Sequence, residues 1–203
     1  LGKAKYILKP GGTLGDLYTN SDLVYNDDGY IEVDKNGNVA VKDDYMDDIY
    51  LGSVFPKYNL AWRNDFNYKG INLGVLFTAR IGGICYSATQ ANMDLYGVSE
   101  ASAAARDAGG VMINGRDMID AQKWYQVIGS QSGLPQYYTY SATNVRLQEL
   151  SLGYTLPSKW FRDKMRMTVS FVGRNLWMIY CKAPFDPEAV ASTGMNYQGI
   201  DYF

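Results

Sequence analysis

Histidine is absent from this chain of 203 residues. Its absence excludes Ser-His-Asp and Cys-His catalysis, and it excludes every metal site with an imidazole ligand. Catalysis would then depend on carboxylates, and Asp186 and Glu188 are a conceivable glycosidase-like pair. Because they lie two positions apart in a proline-containing loop, the spacing favours a role in turn geometry. The sequence therefore predicts no catalytic residues and no enzyme activity.

The sequence also lacks the usual signals of several other classes of protein. The chain has 19 basic and 21 acidic residues, so it offers no electrostatic footprint for nucleic acid. No apolar run approaches the roughly 18 residues of a transmembrane helix, and the N-terminal residues LGKA lack the order of a signal peptide. The glycine pairs at 82–83 and 109–110 lack the spacing and helix of a phosphate-binding loop. These absences predict no nucleic-acid partner and no cofactor.

Two alternating runs of side chains occupy the middle of the chain, between Lys57 and Ile81. Successive side chains of a strand point to opposite faces, so each run has one apolar face and one polar face. The predicted apolar face contains Tyr58, Leu60, Trp62, Phe66, Tyr68, Ile71, Leu73, Val75, Phe77, Ala79 and Ile81. Runs of about 10 residues joined by a minimal turn match strands tilted across a bilayer.

A second strand pair is predicted over residues 144–156 and 165–171. Its alternation changes phase near Gln148 and Glu149, which predicts a β-bulge. Pro157 ends the first strand of the pair because proline has no N–H for pairing. A soluble antiparallel sheet shows the same alternation when one face packs on a core. The strands alone therefore leave a soluble cell-surface β-sandwich that binds a ligand as the alternative.

The lengths of the connections favour the membrane interpretation. Short connections join the strands within each pair, whereas long ones run from Gly82 to Ser141 and from Ile179 onward. Outer-membrane barrels have short turns on one side and long loops on the other. Tyrosine and tryptophan also cluster near the strand ends, where barrels carry aromatic belts: Tyr58, Trp62, Tyr68, Tyr154, Trp160, Trp177 and Tyr180. The sequence thus predicts a mainly β fold, a partial antiparallel transmembrane β-barrel with long extracellular loops that contain short helices.

Four segments carry a resemblance to a known family. They are YLGSVFPKYNLAWRNDFNYKGINLGVLFTARIGG (50–83), NVRLQELSLGYTLPSKW (144–160), MTVSFVGRNLWMIY (167–180) and DPE (186–188). In their order and spacing they resemble the C-terminal barrel region of SusC/RagA-type TonB-dependent transporters, over most of the chain from Tyr50 onward. The resemblance implies part of an outer-membrane importer of glycans or peptides.

Transporters of this family have a barrel of about 22 strands with a plugged lumen. The partners that the resemblance implies are a SusD-type lipoprotein, the TonB complex, outer-membrane lipid and a glycan or peptide substrate. The sequence shows no plug, and Asn196 to Phe203 lacks the alternation of a final strand. We therefore expect a fragment, with residues 1–56 as an extracellular loop and hairpin region. Residues 57–203 would supply barrel strands and a long loop at 82–142.

Acidic and amide side chains near the N-terminus invite a calcium interpretation. The candidate ligands are Asp27, Asp28, Asp34, Asn36 and Asn38. An EF-hand places glycine after its third ligand position with a glutamate six residues later, whereas Gly37 directly follows Asn36 here. Asn36 and Gly37 lie between short apolar segments, so they predict a two-residue type I′ hairpin turn and no metal site.

The long connection from Gly82 to Ser141 is predicted to contain helices. Ser99 is a plausible N-cap before a run of helix formers, and residues 117–128 space their apolar side chains near helical period. Aromatic rings in this loop could stack on sugars or grip a peptide, and the candidate ligand-binding residues are Trp124, Tyr125, Tyr137, Tyr138 and Tyr140. The alternative for each is packing within the loop or against the lipoprotein.

Two cysteines, Cys85 and Cys181, complete the set of reactive side chains. Neither has the spacing of a zinc site. We interpret both as thiols that behave as small apolar residues. An exposed disulfide between them is the alternative, which an oxidising compartment would allow.

Overall fold

The structure, a computed structural model, describes residues 4–43, 48–161 and 164–189. The chain divides into two compact units. The strand unit comprises Pro56–Gly83 and Ala142–Pro184, and the mixed unit comprises Leu1–Phe55, Ile84–Ser141 and Phe185–Phe203. The long central connection therefore folds together with the N-terminal segment.

Short strands and helices build the mixed unit, and four long strands build the strand unit. In chain order the strands are β1 (Ala4–Tyr6), β2 (Asp16–Thr19), β3 (Ser21–Leu23), β4 (Val41–Asp43), β5 (Ile49–Ser53), β6 (Tyr58–Tyr68), β7 (Ile71–Ile81), β8 (Ile84–Tyr86), β9 (Val111–Ile113), β10 (Asp117–Ile119), β11 (Thr139–Ser141), β12 (Asn144–Thr155) and β13 (Thr168–Cys181). The α-helices are α1 (Ala88–Leu95), α2 (Glu100–Asp107) and α3 (Ala121–Gly129), and 3₁₀ turns cover Pro135–Tyr138 and Ser158–Phe161.

The strand unit is a single antiparallel sheet with the order β13-β12-β7-β6. β6 and β7 pair over their whole length, from Tyr58 opposite Ile81 to Tyr68 opposite Ile71. Lys69 and Gly70 form the two-residue turn between them, with φ values of 45° and 88°. Positive φ at both positions is the type I′ geometry that suits the twist of a hairpin. The predicted hairpin and its minimal turn are confirmed.

The predicted bulge in β12 is also confirmed. The register against β7 shifts between Leu147 and Glu149, so Gln148 is the extra residue. The bulge returns Leu150, Leu152 and Tyr154 to the face that already holds Val145 and Leu147. β13 begins at Thr168, opposite the last residue of β12, and not at Met165 as the alternation suggested. Pairing starts later because β12 ends at Thr155, before Pro157.

Two N-terminal hairpin turns share one geometry. In the first, Asn26 N donates to Tyr30 O and Gly29 N donates to Asn26 O; in the second, Asp34 N donates to Asn38 O and Gly37 N to Asp34 O. Gly37 has a φ of 74°, but Asn36 is not in the positive region. The prediction of a two-residue type I′ turn is therefore wrong. The loop has three residues, Lys35, Asn36 and Gly37, because the turn over 34–37 ends on a left-handed glycine.

The helices of the mixed unit agree only in part with the helices that the sequence predicted. The predicted start of α2 is confirmed, since the Ser99 hydroxyl accepts from the backbone N–H of Ser102. The predicted helix over 117–128 begins too early, because Asp117–Ile119 pairs as β10 with β9. Asp120 then caps α3 by accepting from Lys123 N. α1, which Ser87 caps, was not predicted.

The core of the mixed unit lies under these helices and the N-terminal hairpins. Its buried apolar side chains are Leu23, Val39, Tyr86, Ala91, Ile113, Ile119, Trp124, Ile128, Leu134 and Tyr138. They come from segments far apart in the chain, so the central connection depends on the N-terminal segment for its hydrophobic burial. The predicted lack of a final strand at 196–203 concerns residues outside those that the structure describes.

Candidate functional site

The strand unit presents an apolar face that no second layer covers within the described residues. Trp62 is 62% exposed, Leu60 is 55% exposed and Tyr58 is 63% exposed. Trp62 stacks on Phe77 of the neighbouring strand, with ring centroids 5.7 Å apart. A β-sandwich would bury one face of such a sheet against a partner sheet; within the described residues these rings have no such layer over them.

Six of the seven predicted belt residues lie on this face, and Trp160 lies in the 3₁₀ turn Ser158–Phe161 between β12 and β13. The seven side chains are all more than a third exposed: Tyr58, Trp62, Tyr68, Tyr154, Trp160, Trp177 and Tyr180. Tyrosine and tryptophan combine an apolar ring with a polar tip, which suits them to a boundary between hydrocarbon and water. The surface therefore has the composition of a lipid-facing wall.

The opposite face of the same sheet is polar and carries a chain of ion pairs. Arg63 Nε donates to Asp65 Oδ2 across 2.9 Å. Arg63 Nη1 also lies 3.6 Å from Oε1 of Glu149, and Arg174 Nε donates to Oε2 of Glu149 across 3.3 Å. Four alternating charges thus cross the sheet from β6 to β13. We call Asp65, Arg63, Glu149 and Arg174 the charge ladder.

Gly74 of β7 leaves room for this charge ladder. A Cβ at Gly74 would lie 2.5 Å from Ser151 Oγ and 2.8 Å from Asp65 Oδ1. The sequence alternation identified Arg63 and Asp65 as polar-face residues but missed the roles of Glu149 and Arg174. The bulge that the sequence predicted could have indicated the role of Glu149, because it turns Glu149 to the same face as Arg63.

Gln148 links the bulge to both neighbouring strands. Thr78 Oγ1 donates to Gln148 Oε1 across 3.4 Å, and Gln148 Nε2 donates to Asn175 Oδ1 across 2.8 Å. Asn175 has a φ of 51°, a conformation that asparagine tolerates better than most residues. The Gln148 side-chain amide therefore lies at the bulge and makes hydrogen bonds to side chains of both neighbouring strands.

The five candidate aromatic residues are distributed between the core and the surface. Trp124 and Tyr138 are buried in the mixed-unit core, as the packing alternative described. Tyr137 is 39% exposed, with part of its side chain buried, and meets Trp124 edge to face with centroids 5.9 Å apart. Tyr140 makes a similar contact with Phe185 at 5.5 Å. Tyr125, Tyr137 and Tyr140 keep exposed surface that a ligand could contact.

Burial controls the ionisation of these tyrosines. Burial, followed by the negative fields of Tyr25 and Asp22, raises the pKa of Tyr137 to about 12. Burial and the nearby Asp94 carboxylate raise the pKa of Tyr138 far above its usual range. The same two causes raise the pKa of Tyr125. All three phenols are therefore protonated donors at neutral pH.

The Asp34 carboxylate closes a turn. Its Oδ1 accepts from the backbone N–H groups of Asn36 and Asn38, both at 2.8 Å, and its Oδ2 accepts from Asn38 Nδ2 at 2.9 Å. These bonds hold the pKa of Asp34 below its usual range, with the Asn38 backbone bond as the largest cause. In the part of the chain that the structure describes, no three His, Cys, Asp or Glu side chains form a metal-binding group.

Two further expectations concern Asp186 and the cysteines. Asp186 Oδ1 accepts from Glu188 N at 2.9 Å, and Asp186 O accepts from Ala189 N. This confirms the turn geometry expected for that pair. Cys85 and Cys181 are both thiols, the first buried and the second half-buried. Cys85 Sγ donates to the Tyr140 carbonyl at 3.6 Å.

None of the described helices is both long enough and apolar enough to cross a membrane.

Comparisons with known proteins agree with the barrel-like sheet. No family model matches the chain. The TonB-dependent receptor P3 of Formosa agariphila is 24% identical over 181 residues, an alignment that covers 85% of the chain and 17% of the receptor. The RagAB peptide importer in the open-open state has a TM-score of 0.56 and 14% identity, and it covers 92% of the chain. A second RagAB peptide transporter structure has a TM-score of 0.52, 17% identity and 87% coverage.

The chain spans only a small part of these relatives, 17% of the Formosa receptor and 21% of each RagAB chain. At these identities the solved structures establish the fold, which is mainly antiparallel β with an open sheet. The sequence match and the fold together confirm that the chain resembles the SusC/RagA-type TonB-dependent outer-membrane transporters.

Proposed function

We propose that the chain supplies wall strands and a loop unit to a TonB-dependent active importer of glycans or peptides in the bacterial outer membrane. One observation carries this proposal: the four-stranded sheet exposes an aromatic and aliphatic face while its other face holds the charge ladder. A barrel wall has these two environments, with lipid outside and a polar lumen inside.

The strand lengths support a membrane-spanning role. β6 and β7 have 11 residues each. At about 3.3 Å per residue such a strand is roughly 36 Å long, and a tilt of about 45° reduces its vertical reach to roughly 25 Å. The apolar band of outer-membrane barrels has about this height.

The relatives support the partners and the substrate that we propose. The names of the relatives describe a TonB-dependent receptor and a peptide transporter, which supports import powered through TonB. A SusD-type lipoprotein would cover the mixed unit, which we place outside the membrane. Tyr125, Tyr137 and Tyr140 are the partly exposed aromatic residues proposed to contact the glycan or peptide.

Spin labels on adjacent residues of β12 test the orientation of the sheet. Leu152 is on the apolar face and Ser151 is on the polar face, opposite Gly74. Each is replaced by cysteine in the full-length transporter that contains this chain, after Cys85→Ser and Cys181→Ser. Oxygen, which concentrates in lipid, should relax the label at 152 more strongly. A water-soluble nickel chelate should relax the label at 151 more strongly.

Because the two labels differ by one residue, their depth in the membrane is nearly the same. A difference between them therefore reports the face of the sheet and not the distance from the surface. Equal exposure of both labels to the nickel chelate would contradict the proposed barrel wall.

A further inference from the structure

Basic side chains gather at the end of the strand unit where its two short connections lie. The β6–β7 turn carries one of them, and the connection from β12 to β13 carries the others. The two connections are neighbours, because Thr155 N donates to Gly70 O at 2.7 Å. Four exposed residues form what we call the basic rim: Lys69, Lys159, Lys164 and Arg166.

The two connections have a large excess of positive charge. Between Pro157 and Met167 the sequence has four basic residues and one acidic residue, and Lys69 adds a fifth positive charge, so the formal charge is 5 − 1 = +4. Two of these charged residues, Arg162 and Asp163, lie outside those that the structure describes. Among the described residues, none of the four basic-rim side chains forms an ion pair. The positive charge of the rim is therefore available to an outside partner.

The basic rim borders the apolar face of the sheet. Lys69 Nζ lies 5.2 Å from the centroid of the Tyr68 ring. Tyr68 and Tyr154 both belong to the apolar face, and Trp160, next to Lys159, is 70% exposed. Lysine and arginine side chains lay their stems along apolar surface and keep the charged end in water. Cationic groups beside aromatic rings at the end of an apolar wall match the headgroup region of a bilayer.

The position of the rim in the proposed wall selects its partner. Outer-membrane barrels have their short turns on the periplasmic side, where the membrane surface consists of phospholipid headgroups. The β6–β7 and β12–β13 hairpins are two strand spacings apart, about 10 Å. This distance is close to the Debye length of about 8 Å at physiological salt. The charges of both connections therefore act on the same headgroups.

We propose that the basic rim binds the headgroups of anionic phospholipids such as phosphatidylglycerol in the periplasmic leaflet. This inference rests on the proposed function. The Arg166 guanidinium can bond two phosphate oxygens at once, and the lysines act as point charges. In phosphatidylcholine the choline cation offsets the phosphate, so the rim should prefer a lipid with net negative charge.

Fluorescence of Trp160 tests the inference, because this exposed ring lies beside Lys159. The full-length transporter that contains this chain is placed in phosphatidylcholine nanodiscs with brominated phosphatidylglycerol or brominated phosphatidylcholine. Bromine quenches a tryptophan that it contacts, and subtraction of the Trp160→Phe signal isolates Trp160. We expect phosphatidylglycerol to be preferred at this position by at least about fivefold, which is the effect of one basic residue at a membrane surface.

Charge removal at the rim should abolish that preference. The triple variant Lys159→Gln, Lys164→Gln and Arg166→Gln should lose most of it. Addition of Lys69→Asn should remove the rest, and asparagine tolerates the φ of 45° at this position. The matched control also removes two lysines and one arginine, all exposed and outside the strand unit, and should keep the preference: Lys9→Gln, Lys35→Gln and Arg116→Gln.

Several outcomes would contradict the inference. Equal quenching by the two lipids would mean that the charges face an aqueous partner, and an unchanged preference in the triple variant would mean that the rim does not cause it. Loss of the preference in inorganic phosphate, but not in chloride of the same ionic strength, would assign the rim to a free anion. Absence of quenching by either brominated lipid would overturn the proposed barrel wall together with this inference, whereas equal quenching leaves the wall intact.

Discussion

Nη1 of Arg63 lies 3.6 Å from Oε1 of Glu149, although β7 separates the two strands that carry these residues. Arg63 and Glu149 are both in register with Leu76 of β7. The long arginine side chain crosses that strand, and Gly74 beside it leaves the space that the charge ladder needs. Three strands are thereby connected by side chains as well as by backbone hydrogen bonds.

Glu149→Gln should destabilise the proposed barrel wall. The substitution leaves Arg63 and Arg174 without their shared negative partner, so two positive charges would face a neutral amide. We expect the temperature at which the full-length transporter loses its compact migration in SDS gels to fall. Glu32→Gln, at an exposed position outside the charge ladder, should leave that temperature unchanged. An equal fall of this temperature in both variants would count against a stabilising role of the charge ladder.

A positive charge should distinguish the two faces of β12. Leu150→Arg would place a guanidinium on the proposed lipid face, at a cost of roughly 2 to 4 kcal/mol near the midplane. Ser151→Arg would place the same group on the polar face, near Asp65. Outer-membrane fractionation should show less assembled transporter for the first variant only. If both variants assembled equally poorly, the assignment of the faces would be wrong.

The two N-terminal hairpin turns should respond differently to acid. The Asp34 pKa is lowered in the folded chain, chiefly by the bond from Asn38 N. Its stabilisation is therefore present above the ordinary aspartate pKa of about 3.9 and is lost as the pH falls through the folded value. Hydrogen exchange should show loss of protection at the Asn36 and Asn38 amides below this range.

The first hairpin turn supplies the control for that experiment. Asn26 Oδ1 accepts from Asp28 N at 3.0 Å and from Tyr30 N at 2.9 Å, in the arrangement that Asp34 uses. Because an amide does not titrate in this range, protection at Asp28 and Tyr30 should persist in acid. Parallel loss of protection in both turns would mean that unfolding of the whole region, and not the titration of Asp34, is the cause.

Leu134 should be essential to the mixed unit. Its side chain is fully buried in the hydrophobic core. Leu134→Ala should reduce the stability of this unit by about 2 to 5 kcal/mol, through lost burial and the cavity left behind. Limited proteolysis of the full-length transporter should then cut the central connection faster. Leu8→Ala, at a position 70% exposed, should change the cleavage rate little.

The sequence determined the strand unit well, because a strand's pattern is local. Alternation with period 2 identified the apolar face of β6 and β7, and the phase change near Gln148 identified the bulge. Gly70 marked the tight turn, because glycine adopts positive φ without steric cost. Each of these features depends on residues close together in the chain, so no knowledge of distant contacts was needed.

The central connection was less accessible to sequence reasoning. Helical spacing over 117–128 suggested one helix, but pairing of Asp117–Ile119 with β9 satisfies those backbone groups in a strand. Likewise, composition could not separate Trp124 and Tyr138, which the core buries, from Tyr137, which remains exposed. Burial depends on which segments meet, and those segments are far apart in the sequence.

The sequence alone therefore determined the two-faced strands and the resemblance to SusC/RagA-type transporters. Only the tertiary structure decided that Glu149 joins Arg63 across β7, and that the two short connections place their basic side chains at one rim. Alternation follows from the geometry of a single strand, where neighbouring residues suffice. Side-chain networks and surfaces shared by two connections require the relative positions of several elements, which the long-range packing of the chain sets.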